Sequence, residues 1–323
     1  MHVVAIIEVR TRVVGFFSYT AYTHMLAIDR ILYPTDLSEG AKRAFPYAAS
    51  MAYLHGADLH ILNVAGRHLY NFEDLRKEFP VEPDALGQWL REAGIDQFSV
   101  EDLTLVQTQK EGAVPGKYIL SYAEEHDTDL VVMGTHGRRG VDRMLLGSVA
   151  EEVVRQAPCP VLTVRKALTT SPSKTLRRVL VPIDFSEASE RALQHAYELA
   201  MTYGAEIVAL HAIEEVVLPM AYGVAPKQVD AKAVQPDVES ALAELLKKHV
   251  GIEHARAEVR VGYPPQQILE AIEEESADLV VMGTHGREGL NRLLMGSVAE
   301  RIVRHAACPV LTLQQESRSL LPT

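Results

Sequence analysis

Asp129–Arg138 and Asp278–Arg287 read DLVVMGTHGR in both places, letter for letter. Each copy is an apolar run ending in glycines, and each continues to a Gly-Ser pair, so that G-x2-G-x9-G-S occurs twice. Glycine lets a backbone approach a ligand with no Cβ in the way. A helix N-terminus after such a loop adds unbonded amides and a positive dipole end, a combination suited to phosphate. Gly134, Gly137, Gly147 and Ser148 make one candidate cradle, with Ser148 expected as the N-cap. Gly283, Gly286, Gly296 and Ser297 make the mirrored one. His136, Arg138, Arg139 and Arg143 add possible positive charge to the first loop, and His285, Arg287 and Arg292 to the second, where Glu288 replaces Arg139. No lysine follows the last glycine, so this is not a Walker loop. The glycines follow the fourth expected strand and not the first, so it is not the dinucleotide fingerprint either.

A second feature converges on these loops. The first strand of each repeat ends at Pro34-Thr35-Asp36 and at Pro182-Ile183-Asp184. In open parallel sheets, ligands sit beyond the carboxyl ends of the strands, where strand order reverses. Asp36 and Asp184 therefore face two readings, ligand contact or simple capping of the helix that follows. His136 and His285 read as polar loop residues, since neither has an orienting carboxylate or metal partners in the sequence around it. No Cys/His metal spacing and no G-x-S-x-G nucleophile elbow occurs.

The elements that must position these residues alternate. In the first repeat, strands are expected at Arg30–Thr35, Asp58–Val64, Thr104–Gln107, Leu130–Met133 and Val161–Val164. Helices lie between them, one running from Ser38-Glu39 to His55, others over Asp84–Ala93 and Ala113–His126, and the last from Gly147-Ser148 to Ala157. The second repeat keeps the order, with strands at Val179–Ile183, Glu206–His211, Ala255–Val261, Leu279–Met282 and Val310–Leu313. This alternation means a parallel sheet with helices on both faces, and runs such as LVVM suit strands buried on both sides. Glu214–Gln235, with Pro219, Gly223 and Pro226, reads as a long irregular insertion. Trp89 reads as helix-face packing, and Glu273, Glu274 and Glu275 as a solvated helix end.

The repeats align at an offset of 148 to 149 residues, so each unit is long enough to bury its own core. The expected organisation is an extension over 1–29, a first domain over 30–165, a polar linker over 166–176, a second domain over 177–314 and a tail over 315–323. The extension has no counterpart in the second repeat; its apolar stretch is too short and polar to span a bilayer and lacks a signal-peptide core. Two readings of the extension stand, a translation start at Met25 that leaves the upstream stretch an artefact, or a real, poorly packed extension, and intact mass would check between them. The 43 Asp+Glu against 32 Lys+Arg disfavour nonspecific nucleic-acid binding. Two cysteines at equivalent positions read as small buried hydrophobes in a reducing, cytoplasmic setting.

YPTDLSE and VPIDFSE, with GTHGRRGVDRMLLGSVAEEVVRQAPCPVL and GTHGREGLNRLLMGSVAERIVRHAACPVL, resemble the universal stress protein family in tandem, over nearly all of the chain beyond residue 29. The resemblance implies a HUP-like α/β fold, two doubly wound parallel five-stranded sheets of order 3-2-1-4-5, and an adenine nucleotide between the first and fourth strands of each. It implies that Asp36 and Asp184 contact the adenosine part, together with the strand ends that carry them. Val64 and Ala212 would flank the base. The glycines, with Arg138 and Arg287 in the same loops, would lie along phosphates and ribose, Ser148 and Ser297 would join them, and Val149 and Val298 would offer backbone N–H groups. The cofactor expected is ATP, or ADP or AMP, with Mg²⁺ held mostly by phosphate and water. The function expected is a nucleotide-dependent switch with at most slow hydrolysis; a true hydrolase or nucleotidyl enzyme and a nucleotide-free interaction protein are the other readings. No nucleic-acid or membrane partner is expected. Because the last strands would lie at sheet edges, they are expected to pair within the chain as a pseudo-twofold monomer, with further pairing of two chains left open.

Overall fold

The structure, a computed structural model, describes residues 5–9, 26–65, 83–97, 99–111, 114–135, 146–165, 176–214, 231–250, 254–286 and 295–321. Both repeats begin with a strand, β2 (Arg30–Thr35) and β7 (Arg178–Pro182), that turns into a 17-residue helix, α1 (Glu39–His55) and α5 (Glu187–Tyr203). Ser38 and Ser186 cap these helices through side chains that accept from Ala41 N and Ser189 N. Gly56 and Gly204 end them at φ 65° and 70°, a left-handed conformation that glycine adopts without strain. The first repeat continues through β3 (Asp58–Ala65), α2 (Pro83–Glu92), β4 (Thr104–Glu111), α3 (Pro115–Glu125), β5 (Leu130–Gly134), α4 (Ser148–Gln156) and β6 (Val161–Val164). The second continues through β8 (Glu206–Ile213), α6 (Ala231–His249), β9 (Ala255–Val261), α7 (Pro264–Glu274), β10 (Leu279–Gly283), α8 (Ser297–His305) and β11 (Val310–Leu313).

Within each repeat the strand order is 3-2-1-4-5. The two expected sheets are one continuous sheet of eleven described strands, because β6 and β11 pair antiparallel. Leu162 lies opposite Leu311, its own counterpart in the repeat, with Val161 opposite Thr312 and Thr163 opposite Val310. A pseudo-twofold axis therefore passes through the leucine pair. Thr163 Oγ1 donates to Val310 O and Thr312 Oγ1 to Val161 O, each at 3.1 Å. The eleventh strand, β1 (Ala5–Val9), pairs antiparallel with β4 at the outer edge; the sequence pattern assigned it no element.

Side chains alternate between two apolar layers, one on each face of the sheet. Leu130 and Val132 enter one, Val131 and Met133 the other, so this strand is buried on both sides. Trp89 packs edge-on against Phe45, which packs edge-on against Tyr33, both at 5.5 Å between ring centres. Cys159 and Cys308 are buried free thiols, and burial pushes both up to about 12. At the amino ends of the sheet, Asp129 Oδ2 accepts from Asp29 N and Arg30 N, and Asp278 Oδ2 from Arg177 N and Arg178 N. The aspartate that opens the repeated decapeptide thus clamps the start of the first strand, at the end opposite the glycines.

Two expectations need correction. Residues 231–235 are not irregular: α6 starts at Ala231 and contains Pro236, because burial of Leu242, Leu245 and Leu246 outweighs the ladder bond that proline cannot make. Glu274 and Glu275 are not merely solvated, since they pair with Arg260 and Arg256 of β9 at 2.7 and 2.6 Å.

Candidate functional site

The first and fourth strands of each repeat part company early. β2 pairs with β3 over six residues but with β5 only at Ile31–Leu130 and Leu32–Val131. β7 pairs with β10 only at Val179–Leu279 and Leu180–Val280. Both strands run on past the last pair, so a crevice opens at their carboxyl ends, where the strand order reverses. Pro34 and Pro182 lie in that divergent stretch. Ile183 N–H bonds Leu210 O on β8, so the Pro182 nitrogen faces the other way, where the ladder has ended and no donor is required.

One wall of the crevice is acidic and tightly turned. Asp36 Oδ1 accepts from Ser38 N and Asp184 Oδ1 from Ser186 N, both at 3.0 Å. The caps are the serines, so the aspartates do not cap the helices; they close the turn before them. Leu37 and Phe185, the next residues, sit at φ 63° and 59°, uncommon for side chains of that bulk. In the first repeat Thr35 Oγ1 supports the turn by accepting from Leu37 N at 3.1 Å; Ile183 has no such group. Behind the turn, Asn63 Nδ2 donates to Thr35 O at 2.8 Å, and His211 Nδ1 donates to Ile183 O at 2.7 Å. Asn63 and His211 are equivalent positions, and sequence reasoning missed both: different letters perform one task, so a search for identical residues passes over them. Val64 and Ala212 follow them, each half-buried.

The other wall is the start of α4 and α8. Here Ser148 and Ser297 are not the N-caps. Gly147 and Gly296 hold that position, and the serines are the first helical residues, exposed. With no capping side chain among the described residues, the amides of Ser148, Val149 and Ala150 precede the first helical bond, Glu151 N to Gly147 O; those of Ser297, Val298 and Ala299 precede Glu300 N to Gly296 O. Val149 and Val298 pack their side chains against the apolar layer. Gly147 N bonds Thr135 O at 2.9 Å and Gly296 N bonds Thr284 O at 2.8 Å, closing the neck of each glycine loop. The loop interiors, with Gly137, Arg138 and Arg287, and with His136, Arg139, Arg143, Glu288 and Arg292, lie outside the described residues.

The glycines divide by role. A Cβ on Gly134 would lie 2.5 Å from Gly40 O, and one on Gly283 would lie 2.9 Å from the Ala188 Cβ. These two are small because a helix packs on them. A Cβ on Gly286 would lie 2.4 Å from Asp184 Oδ2, and one on Gly296 would lie 3.1 Å from Thr284 O. Those two keep the second loop against the acidic turn and the loop neck. His285 places Nδ1 3.0 Å from Thr284 Oγ1, and its buried Nε2 has no partner among the described residues. No group of three metal-binding side chains occurs among the described residues, and no described helix is long and apolar enough to cross a membrane.

Strand order and crevice together define a tandem, doubly wound α/β protein whose two openings lie at the strand-order reversals. The family model described as "Universal stress protein family" matches residues 27–165 and 175–314. The chain belongs to that family. It is 35% identical over 197 residues to universal stress protein Rv2005c of Mycobacterium tuberculosis, a match covering 59% of this chain and 63% of that protein's length, less than two thirds. A universal stress protein of Mycolicibacterium smegmatis is 28% identical over 308 residues, covering 88% of this chain and 96% of that one. Among solved structures, a universal stress protein from Archaeoglobus fulgidus aligns with TM-score 0.59 at 21% identity over 88% of this chain and 98% of that one. One from Pseudomonas aeruginosa aligns with TM-score 0.63 at 20% identity over 90% and 94%. These structural likenesses support the fold.

Proposed function

We propose that each repeat binds an adenine nucleotide, ATP or its products ADP and AMP, in the crevice between its first and fourth strands. The observation that carries this is the polarity of the crevice. A carboxylate stands on one wall, Asp36 or Asp184, and helix amides that no described side chain caps stand on the other. A nucleotide has matching ends: hydroxyls and base N–H groups that a carboxylate accepts, and phosphates that amides at a helix start attract. The neutral end would lie toward the aspartates, Val64 and Ala212, and the phosphates toward Gly147–Ala150 and Gly296–Ala299. Gly286 fits this reading, since any side chain there would strike the Asp184 carboxylate. Mg²⁺ would accompany a triphosphate, held by phosphate oxygens and water. The biological role that follows is a stress-response regulator in the cytoplasm, switched by nucleotide.

The test is direct. The protein is purified, denatured, and its supernatant analysed by mass spectrometry, and the stripped protein is titrated with ATP. Up to two nucleotides per chain are expected, and Gly147→Val with Gly296→Val should abolish binding while the chain remains folded. A nucleotide-free supernatant with no binding in titration would overturn the proposal and favour an interaction protein. A hydrolase reading draws on the unpartnered Nε2 of His285. Several ATP consumed per site, lost in His136→Ala with His285→Ala, would establish it.

A further inference from the structure

Each repeat holds the far end of the other's glycine-loop helix. Arg165 is the first residue after β6, and its equivalent, Gln314, the first after β11. Both side chains cross the seam where those strands pair antiparallel. Arg165 Nη1 donates to His305 O at 2.7 Å and to Ala306 O at 2.9 Å, the closing carbonyls of α8. Gln314 Nε2 donates to Val154 O in the last turn of α4 at 2.6 Å. These carbonyls need partners from outside their helices. The last four of any helix have no intrahelical donor. The residue four beyond Val154 is Pro158, which has no N–H to give. The two clamps differ in strength. Half-buried Arg165 brings a charge of the sign that a helix C-terminus attracts, and buried Gln314 brings a neutral amide.

The opposite ends of α4 and α8 carry the amides that face phosphate in the proposed function. Each helix has nine residues, little more than two turns, so fixing its last turn fixes where its first amides stand. The clamps also have fixed bases. Val164 O accepts from Thr135 N and Leu313 O from Thr284 N, both at 3.0 Å, so the backbone just before each clamp is tied to the end of the neighbouring strand. We propose that Arg165 and Gln314 are positioning residues for nucleotide, each acting on the opposite repeat. Arg165, from the first repeat, sets the helix amides of the second crevice. Gln314, from the second repeat, sets those of the first. The inference rests on the nucleotide reading above, and it makes neither crevice complete without a side chain of the other repeat.

The test uses full-length chains with one crevice each. Gly147→Val leaves the second crevice to bind ATP, and Gly296→Val leaves the first. ATP is titrated calorimetrically into both, with and without Arg165→Met, an unbranched side chain that fills space and donates nothing. The second crevice should lose about fivefold in affinity, the worth of a cation at a helix C-terminus, and the first should not change. Gln314→Met should do the reverse, with a loss of about threefold at the first crevice, the size of one neutral hydrogen bond. A merely structural role would lower both crevices alike. Amide exchange in the nucleotide-stripped chain supplies a readout without ligand. Arg165→Met should speed exchange in α8 and not in α4, and Gln314→Met in α4 and not in α8. Affinity lost in the substituted repeat's own crevice, in both equally or in neither overturns the inference and leaves the nucleotide reading standing. Exchange that does not cross over in this way overturns it as well. No ATP binding by the unsubstituted chain overturns the nucleotide reading, and this inference with it.

Discussion

Gly134→Ala separates a packing role from a ligand role at the first glycine of the repeated motif. The new Cβ would meet three backbone atoms of α1, Gly40 O at 2.5 Å, Gly40 C at 2.7 Å and Ala41 N at 3.0 Å, where ordinary contact begins at 3.4 Å. Backbone in the first turn of a capped helix cannot swing aside as a flexible side chain does. The strand end and the helix must separate, or α1 must tilt. Such overpacking costs about 1–3 kcal/mol. Urea unfolding followed by circular dichroism should show a lower midpoint with an unchanged slope. Gly283→Ala is the companion. Its Cβ would meet the Ala188 Cβ at 2.9 Å, a single methyl as the nearest atom, so a smaller loss is expected. Stability unchanged in Gly134→Ala, with nucleotide binding lost, would refute the reasoning and return this glycine to the ligand.

Three further outcomes follow from the structure. Leu320→Ala empties the tail's anchor and should destabilise the protein by about 2–5 kcal/mol, seen as a lower urea midpoint. His195 donates from Nδ1 to Arg191 O and accepts at Nε2 from Leu320 N, and burial, with Arg191 beside it, pushes it down to about 4. The folded state therefore prefers neutral His195, and the unfolded chain takes up the proton first. Its contribution, on the order of 3 kcal/mol, is complete above about 6.5 and is lost as pH falls toward 4. Urea midpoints measured from pH 7 to 4.5 should fall more steeply for the wild type than for His195→Gln. Asp278→Ala leaves the amides of Arg177 and Arg178 without their acceptor and should cost about 1–3 kcal/mol, with faster hydrogen exchange at those two amides.

Much of the fold was legible in the sequence because its causes are local. The 148-to-149-residue offset revealed two units. Gly56 could be read as a helix stop and Ser38-Glu39 as a helix start, because capping chemistry acts within a few residues. LVVM could be read as a doubly buried strand from its length and flanks. Other features depended on distant partners. Residues 231–235 read as part of an irregular insertion until the helix that starts at Ala231 was seen to bury three leucines. Ser148 looked like a cap until Gly147 was found at the turn, with the loop neck bonded to Thr135.

The sequence alone determined the alternation of strands and helices, the glycine loops before the fourth helices and the aspartates ending the first strands, since periodicity and turn chemistry need only neighbouring residues. Tertiary structure decided the rest. It set Leu162 against Leu311 and fused two sheets into one. It gave Gly134 to a helix and Gly286 to Asp184. It also seated the tail against His195 of α5. These depend on atoms brought together from more than a hundred residues apart, or across one close approach of backbone to backbone, and no local pattern encodes such distances.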